Sequence, residues 1–264
     1  MRLIRSALGV LLAVTFGAWA GIGFGADAPK ADQTAPMVTP SEHWFILSST
    51  GEEVSGGYLH IAIKESGDPA APVRVAYEFR IATPNEGVLI GKQEGLCLND
   101  EWFSPVKSVS SFGTGEGAES ATATFARPDP KSTAGKLVVT RPNNGNIEND
   151  LKERTVMFFT PLEIVTHLSF ENTASVKFAV IEGFDTWWID DGEISYVGKE
   201  KLNIKGKELQ LHKFIQKIGE RNKPDSYWLN DNHEVVRAEI QSGVLTPATE
   251  EEARKALLAH QPDK

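Results

Sequence analysis

The chain has one cysteine, Cys97, among 264 residues. A single thiol forms no internal disulfide, so the fold must rest on its core. In the apolar run Leu96-Cys97-Leu98 it reads as a small buried hydrophobe, with a catalytic thiol as the weaker alternative. Basic residues are also short: 27 Lys and Arg face 36 Asp and Glu. Removing Arg2 and Arg5 leaves 25 basic residues and a net charge of −11. Such a surface argues against nucleic acid and anionic lipid headgroups as main partners, since binding either rests on Lys and Arg patches.

Catalytic and metal signatures are lacking too. There is no G-x-S-x-G and no serine in a strand-to-helix elbow. The histidines (His43, His60, His167, His212, His233 and His260) include no pair at metal-ligand spacing, so a zinc site would need assembly by the fold. Gly113-Thr114-Gly115-Glu116-Gly117 has neither the following helix nor the Lys that a phosphate-cradling loop needs. Asp190-Asp191-Gly192-Glu193 packs its acids too closely for a calcium loop, and Asp-Gly between strands predicts a hairpin turn. No cofactor, metal or catalytic residue is expected, and no internal repeat is visible.

What is present begins with an address. Arg2 and Arg5 precede the apolar stretch 8–16, followed by Ala18-Trp19-Ala20 and Ala26-Asp27-Ala28. This is the pattern of a secretory signal peptide over residues 1–28, cleaved after Ala20, Ala26 or Ala28, with an uncleaved anchor as the alternative. Export to the periplasm or cell envelope follows, with no membrane span in the mature chain. Residues 29–41 carry three prolines and no periodicity, a flexible leader.

From His43 onward the pattern is short strands separated by turn formers. Val73-Arg74-Val75-Ala76-Tyr77-Glu78-Phe79 alternates as a strand with one wet face must. Strands recur every 8 to 15 residues with no intervening helices, which predicts an antiparallel meander and excludes a doubly wound α/β fold. Residues 183–241 read as hairpins in series, turning at Asp190-Asp191-Gly192, Lys205-Gly206-Lys207 and Asn230-Asp231-Asn232. One helix interrupts the meander from Thr160-Pro161, with Leu162, Val165 and Leu168 facing the sheet and Asn172 as its end. A second is predicted at the C-terminus, where Thr249 and Glu252 form a capping box. The domain is placed at residues 42–243, with 244–264 a charged helix or tail.

Aromatic pairs Trp102-Phe103, Trp187-Trp188 and Tyr227-Trp228 send neighbouring rings to opposite faces. One ring of each pair packs the core; the other meets a helix, a loop or a ligand. Trp102, Trp187, Trp188 and Trp228 are the candidate lining of an apolar groove.

The C-terminal half, from Phe159-Thr160-Pro161-Leu162 through Tyr196-Val197-Gly198-Lys199-Glu200 to Tyr227-Trp228-Leu229-Asn230 and Val235-Val236-Arg237, resembles exported bacterial proteins of the LolA/LolB-like half-barrel group. Asn230 stands where W-L-D-x-x-x-x-V-V-R strand pairs of that group carry Asp. The resemblance implies a mainly β fold, a single curved antiparallel sheet wrapped over one or two short helices, with an apolar groove. It implies a non-catalytic envelope protein that binds or carries a lipid, an acyl chain or a lipidated partner. A structural scaffold with a filled core is the alternative, and an unrecognised hydrolase a distant third.

Overall fold

The computed structural model describes residues 40–48, 56–83, 87–114, 118–127, 135–171, 174–183, 186–241 and 243–259. The proposed signal segment, nearly all of the leader, Asn172 and His260 lie outside them. The first half is a meander of β1 (Ser41–Ser48), β2 (Gly56–Glu65), β3 (Val73–Thr83), β4 (Gly87–Cys97), β5 (Pro105–Thr114), β6 (Glu119–Ala126), β7 (Lys136–Arg141) and β8 (Gly145–Asp150). After β9 (Thr155–Val156) come α1 (Thr160–Ile164) and a 3-10 turn, Val165–His167. The second half follows with β10 (Val176–Glu182), β11 (Trp188–Ile204), β12 (Lys207–Ile218), β13 (Asp225–Leu229), β14 (Val235–Ile240) and β15 (Gly243–Ala248). Helix α2 (Glu250–Leu258) comes last.

All fifteen strands belong to one sheet, in the order β8 to β1, then β15 to β9. The halves join where β1 pairs antiparallel with β15. Every pairing is antiparallel except the short parallel contact of β9 with β10. The ends, β8 and β9, are not hydrogen-bonded to each other. Side chains from strands near the two ends nevertheless meet. Ile181 and Trp187, from the second end, pack among Ala123, Phe125, Leu137 and Val139 of the first. Phe178 and Val180, on the opposite face of β10, belong to the main core. One end of the sheet thus tucks under the other, and the barrel closes by overlap instead of by a ladder. No helix among the described residues is long and apolar enough to cross a membrane.

Alternation puts the main core on the concave face. Leu59, Ile61, Val75, Tyr77, Phe79, Phe214, Tyr227 and Leu245 all point there. Helix α1 lies inside as well, since Leu162, Ile164 and Val165 belong to the same core. Helix α2 lies outside, its Ala253 and Leu257 packed on Tyr58 and Ala82 of β2 and β3. The two predicted helices therefore cover opposite faces.

Four local expectations change. Asp190-Asp191-Gly192 is no turn but the interior of the 17-residue β11. Gly192 is there for space: a Cβ would lie 2.6 Å from the Phe178 ring. The first helix is short, and Leu168 is already extended. Its cap is Phe159, not Thr160, whose hydroxyl instead bonds Tyr77 Oη at 2.8 Å. The sheet also runs past residue 243 to Ala248. Lys205-Gly206 and Asn230-Asp231-Asn232 do form turns, Lys205 and Gly206 both at positive φ (50° and 81°), which suits a two-residue hairpin.

Candidate functional site

The four tryptophans do not line one cavity. Trp102, in the loop after β4, stacks near Phe178 at 6.5 Å beneath the Arg154 guanidinium, and its indole N–H donates to Glu101 at 2.7 Å. Trp187, at φ +57°, is fully buried in the overlap, its indole N–H without a protein acceptor. Its neighbour Trp188 is 43% exposed. Trp228 lies opposite Tyr227 on the outer face, with Lys213 Nζ 5.0 Å above its ring and its N–H donating to Glu200 at 2.9 Å. None of these rings packs against another.

A different aromatic cluster comes together, built from residues far apart in the chain. Phe170, just after the 3-10 turn, is sandwiched between His212 and His233, with centroids 3.5 and 3.9 Å away and nearly parallel planes. His233 sits at φ +63° in the turn between β13 and β14. Asn230 braces that turn: its Oδ1 accepts the N–H groups of Asn232 and Glu234, and its Nδ2 donates to Glu234 Oε2 at 2.7 Å. An aspartate at this position would set two carboxylates together, which gives Asn230 a physical role here.

A β-bulge supplies the polar arm. Tyr196 pairs with Phe214 and Lys199 with His212, the register slipping at Val197. In a regular strand residues three apart face opposite ways; the extra residue puts both on the concave face. The Tyr196 hydroxyl then lies 2.9 Å from His212 Nδ1, and His212 Nε2 lies 3.0 Å from Asp231 Oδ1. Lys199 Nζ donates to the same oxygen at 2.9 Å. Those two hydrogen bonds, from Lys199 first and His212 second, hold the Asp231 carboxyl below its usual range. Burial, and then the nearby His233, push His167 down.

Beside this arm is a small recess of about 20 Å³. Leu168, Ala174, Val176, Ile194 and Phe214 form apolar walls, with Ser169 and Tyr196 bringing hydroxyl groups. That is room for about one water molecule, far below the roughly 300–1,000 Å³ usual for sites that enclose a drug-sized ligand.

Among the described residues, Gln93 and Ser108 are buried with side-chain polar atoms that have no hydrogen-bond partner. Burial raises Glu163 on α1 to about 7, with His43 Nε2 4.0 Å away. Burial also raises Asp225 to about 6, against the opposing pull of Arg221, which bridges it to Glu182. Cys97 is fully buried and its thiol is pushed up by burial, the setting of an inert cysteine. Among the described residues no group of three or more His, Cys, Asp or Glu side chains could hold a metal ion. The Phe170 cluster was not visible in the sequence. Only the turn at 230–232 was read there.

The sequence matches no protein-family profile and no curated protein. The fold resembles the crystal structure of a β-barrel-like protein of domain of unknown function DUF1849 from Brucella abortus. The likeness has a TM-score of 0.50 and 11% sequence identity, and covers 79% of this chain and 94% of that one. At that identity it is the architecture, a barrel-like single sheet, that the two chains share.

Proposed function

We propose that this is an exported, non-catalytic protein of the periplasm or cell envelope. It holds a hydrophobic ligand (a lipid, an acyl chain or the lipid of a lipidated partner) in a recess of its barrel-like sheet. The observation that carries the reading is the barrel-like sheet with its apolar concave face, where Leu168, Ala174, Val176, Ile194 and Phe214 border a recess of about 20 Å³ that would have to widen to admit an acyl chain. The resemblance to the LolA/LolB-like half-barrel group, and the N-terminal segment with its basic start and small-residue sites, support the same reading. The groove is assigned to Leu168, Ser169, Ala174, Val176, Ile194, Tyr196 and Phe214, in place of the four tryptophans.

A scaffold role is the second reading, favoured by the self-filled interior: Tyr77, Phe79, Met157 and Leu162 occupy the space beneath α1. Organic extraction and mass spectrometry of the purified mature protein separate the two. A co-purifying acyl lipid, displaced by added fatty acid, is expected of a carrier. No extracted lipid and no acyl ligand taken up would leave the scaffold.

A further inference from the structure

The concave face changes character across β4, β5 and β6. Where β3 presents Val75, Tyr77 and Phe79, these strands present Gly91, Gln93 and Gly95, then Ser108 and Ser110, then Ala121 and Ala123. The ladders set them side by side: Gln93 pairs with Ser110, Gly95 with Ser108, and Ser108 with Ala123. The two glycines are covered from above. A Cβ at Gly91 would run into the Phe79 ring, and one at Gly95 would lie 2.5 Å from Met157 Sδ and Cε. Packing explains the glycines but not the polar groups beside them. Gln93 is 1% exposed, and neither its Oε1 nor its Nε2 has a hydrogen-bond partner. Ser108, equally buried, has an unpartnered hydroxyl. Tyr77, across the ladder from Gln93, has its hydroxyl engaged with Thr160 at 2.8 Å instead. Unpaired polar groups are costly in an interior, and a core that needed only volume here would carry Leu or Met.

We propose that Gln93 and Ser108 form an interior binding site for a small neutral compound whose head both donates and accepts hydrogen bonds, an alcohol or a primary carboxamide. The Gln93 side chain matches such a head on both counts: Oε1 accepts its proton and Nε2 donates to its oxygen, while the Ser108 hydroxyl does either. A charged head does not fit. The concave faces of β3 to β6 carry no charged side chain to replace the hydration it would lose. The tail takes the place of the Met157 side chain above Gly95. Methionine is unbranched and adaptable, so that side chain yields to a tail of its own length, such as the butyl chain of 1-butanol. The overlap offers the way in, because Ala123, beside Ser108, packs with Ile181 and Trp187 where no ladder closes the sheet. The Trp187 indole N–H, also unpaired, lies in that seam. This site shares no residue with the recess beside Leu168 and does not depend on it.

The test is NMR titration of the full mature chain with 1-butanol, butanamide and butanesulfonate, following the Gln93 side-chain amide and the Met157 methyl group. In the wild type, butanol and butanamide should shift both signals together and saturate, whereas butanesulfonate should leave them still. Gln93→Leu, which fills the space with an apolar side chain, should weaken butanol binding about tenfold, the scale of two hydrogen bonds. Ser108→Ala should weaken it by less. The wild-type titration needs no variant, so the proposal stays open to refutation if Gln93→Leu does not fold. No response to butanol and butanamide, an equal response to butanesulfonate, or an unchanged butanol affinity in Gln93→Leu overturns it. So does a long-lived water, seen as cross-peaks to the Gln93 amide, that no probe displaces; the polar groups would then serve the fold alone. None of these outcomes bears on the recess, which is read on other residues.

Discussion

The two helices lie on opposite faces of one sheet and are held in opposite ways. Helix α2, outside, carries its own start signals. Thr249 Oγ1 accepts the Glu252 N–H at 3.2 Å, Glu252 Oε2 accepts the Thr249 N–H at 2.8 Å, and Arg254 pairs with Glu250 one turn away. It buries only Ala253 and Leu257. Helix α1, inside, has no side-chain cap, yet all five of its residues are buried. Local chemistry specifies α2, whereas packing alone imposes α1. Short isolated helices are marginal in water, so α1 exists because the concave face closes around it.

Four changes would break or sharpen this contrast. The largest effect belongs to Leu162→Ala, which opens a cavity between α1 and the sheet and should cost about 2–5 kcal/mol in urea unfolding. Leu257→Ala removes the same atoms from α2, but the site sits at the surface and can collapse. Its cost should fall at the low end, about 2 kcal/mol. Equal costs would mean that α2 is as deeply built in as α1.

Glu163→Gln probes the one carboxylic acid that α1 buries. Its native pKa, raised to about 7, lies above that of an unfolded glutamate. The stability it contributes is thus complete below the unfolded value and lost as pH rises through about 7. The glutamine variant should match the wild type at pH 4 and exceed it at pH 8, by on the order of 1–3 kcal/mol, read from thermal unfolding at both pH values. A variant less stable at pH 8 would contradict this. The smallest change, Thr249→Ala, should cost about 1 kcal/mol of stability and loosen amide-exchange protection in α2 only.

The same contrast explains how much of the molecule was legible beforehand. Strand alternation such as Val73-Arg74-Val75 and the capping box at Thr249 depend on neighbours in sequence, and both were readable. The length of α1 depends on what surrounds it, so its Leu162, Val165, Leu168 spacing overstated it. Asp190-Asp191-Gly192 carries turn chemistry, but the need of the Phe178 ring for space across the ladder decides its place. Pro247 lies within the last strand, β15. It is tolerated because the pairing of β15 with β14 ends at Leu245, leaving that side without a partner to satisfy. The candidate site was least legible. Its parts come from residues 170, 196, 199, 212, 231 and 233, and Lys199 reaches Asp231 only because the bulge at Val197 reverses the parity of β11. No periodicity in the sequence reports such a slip.

The site itself is most directly tested by titrating the folded chain with decanol while following side-chain methyl and aromatic NMR signals. Val176, Ile194, Tyr196 and Phe214 should shift together and saturate, while Trp187 and Trp228 stay still. Unchanged pocket signals, or shifts centred on the tryptophans, would contradict the assignment of the ligand to this recess.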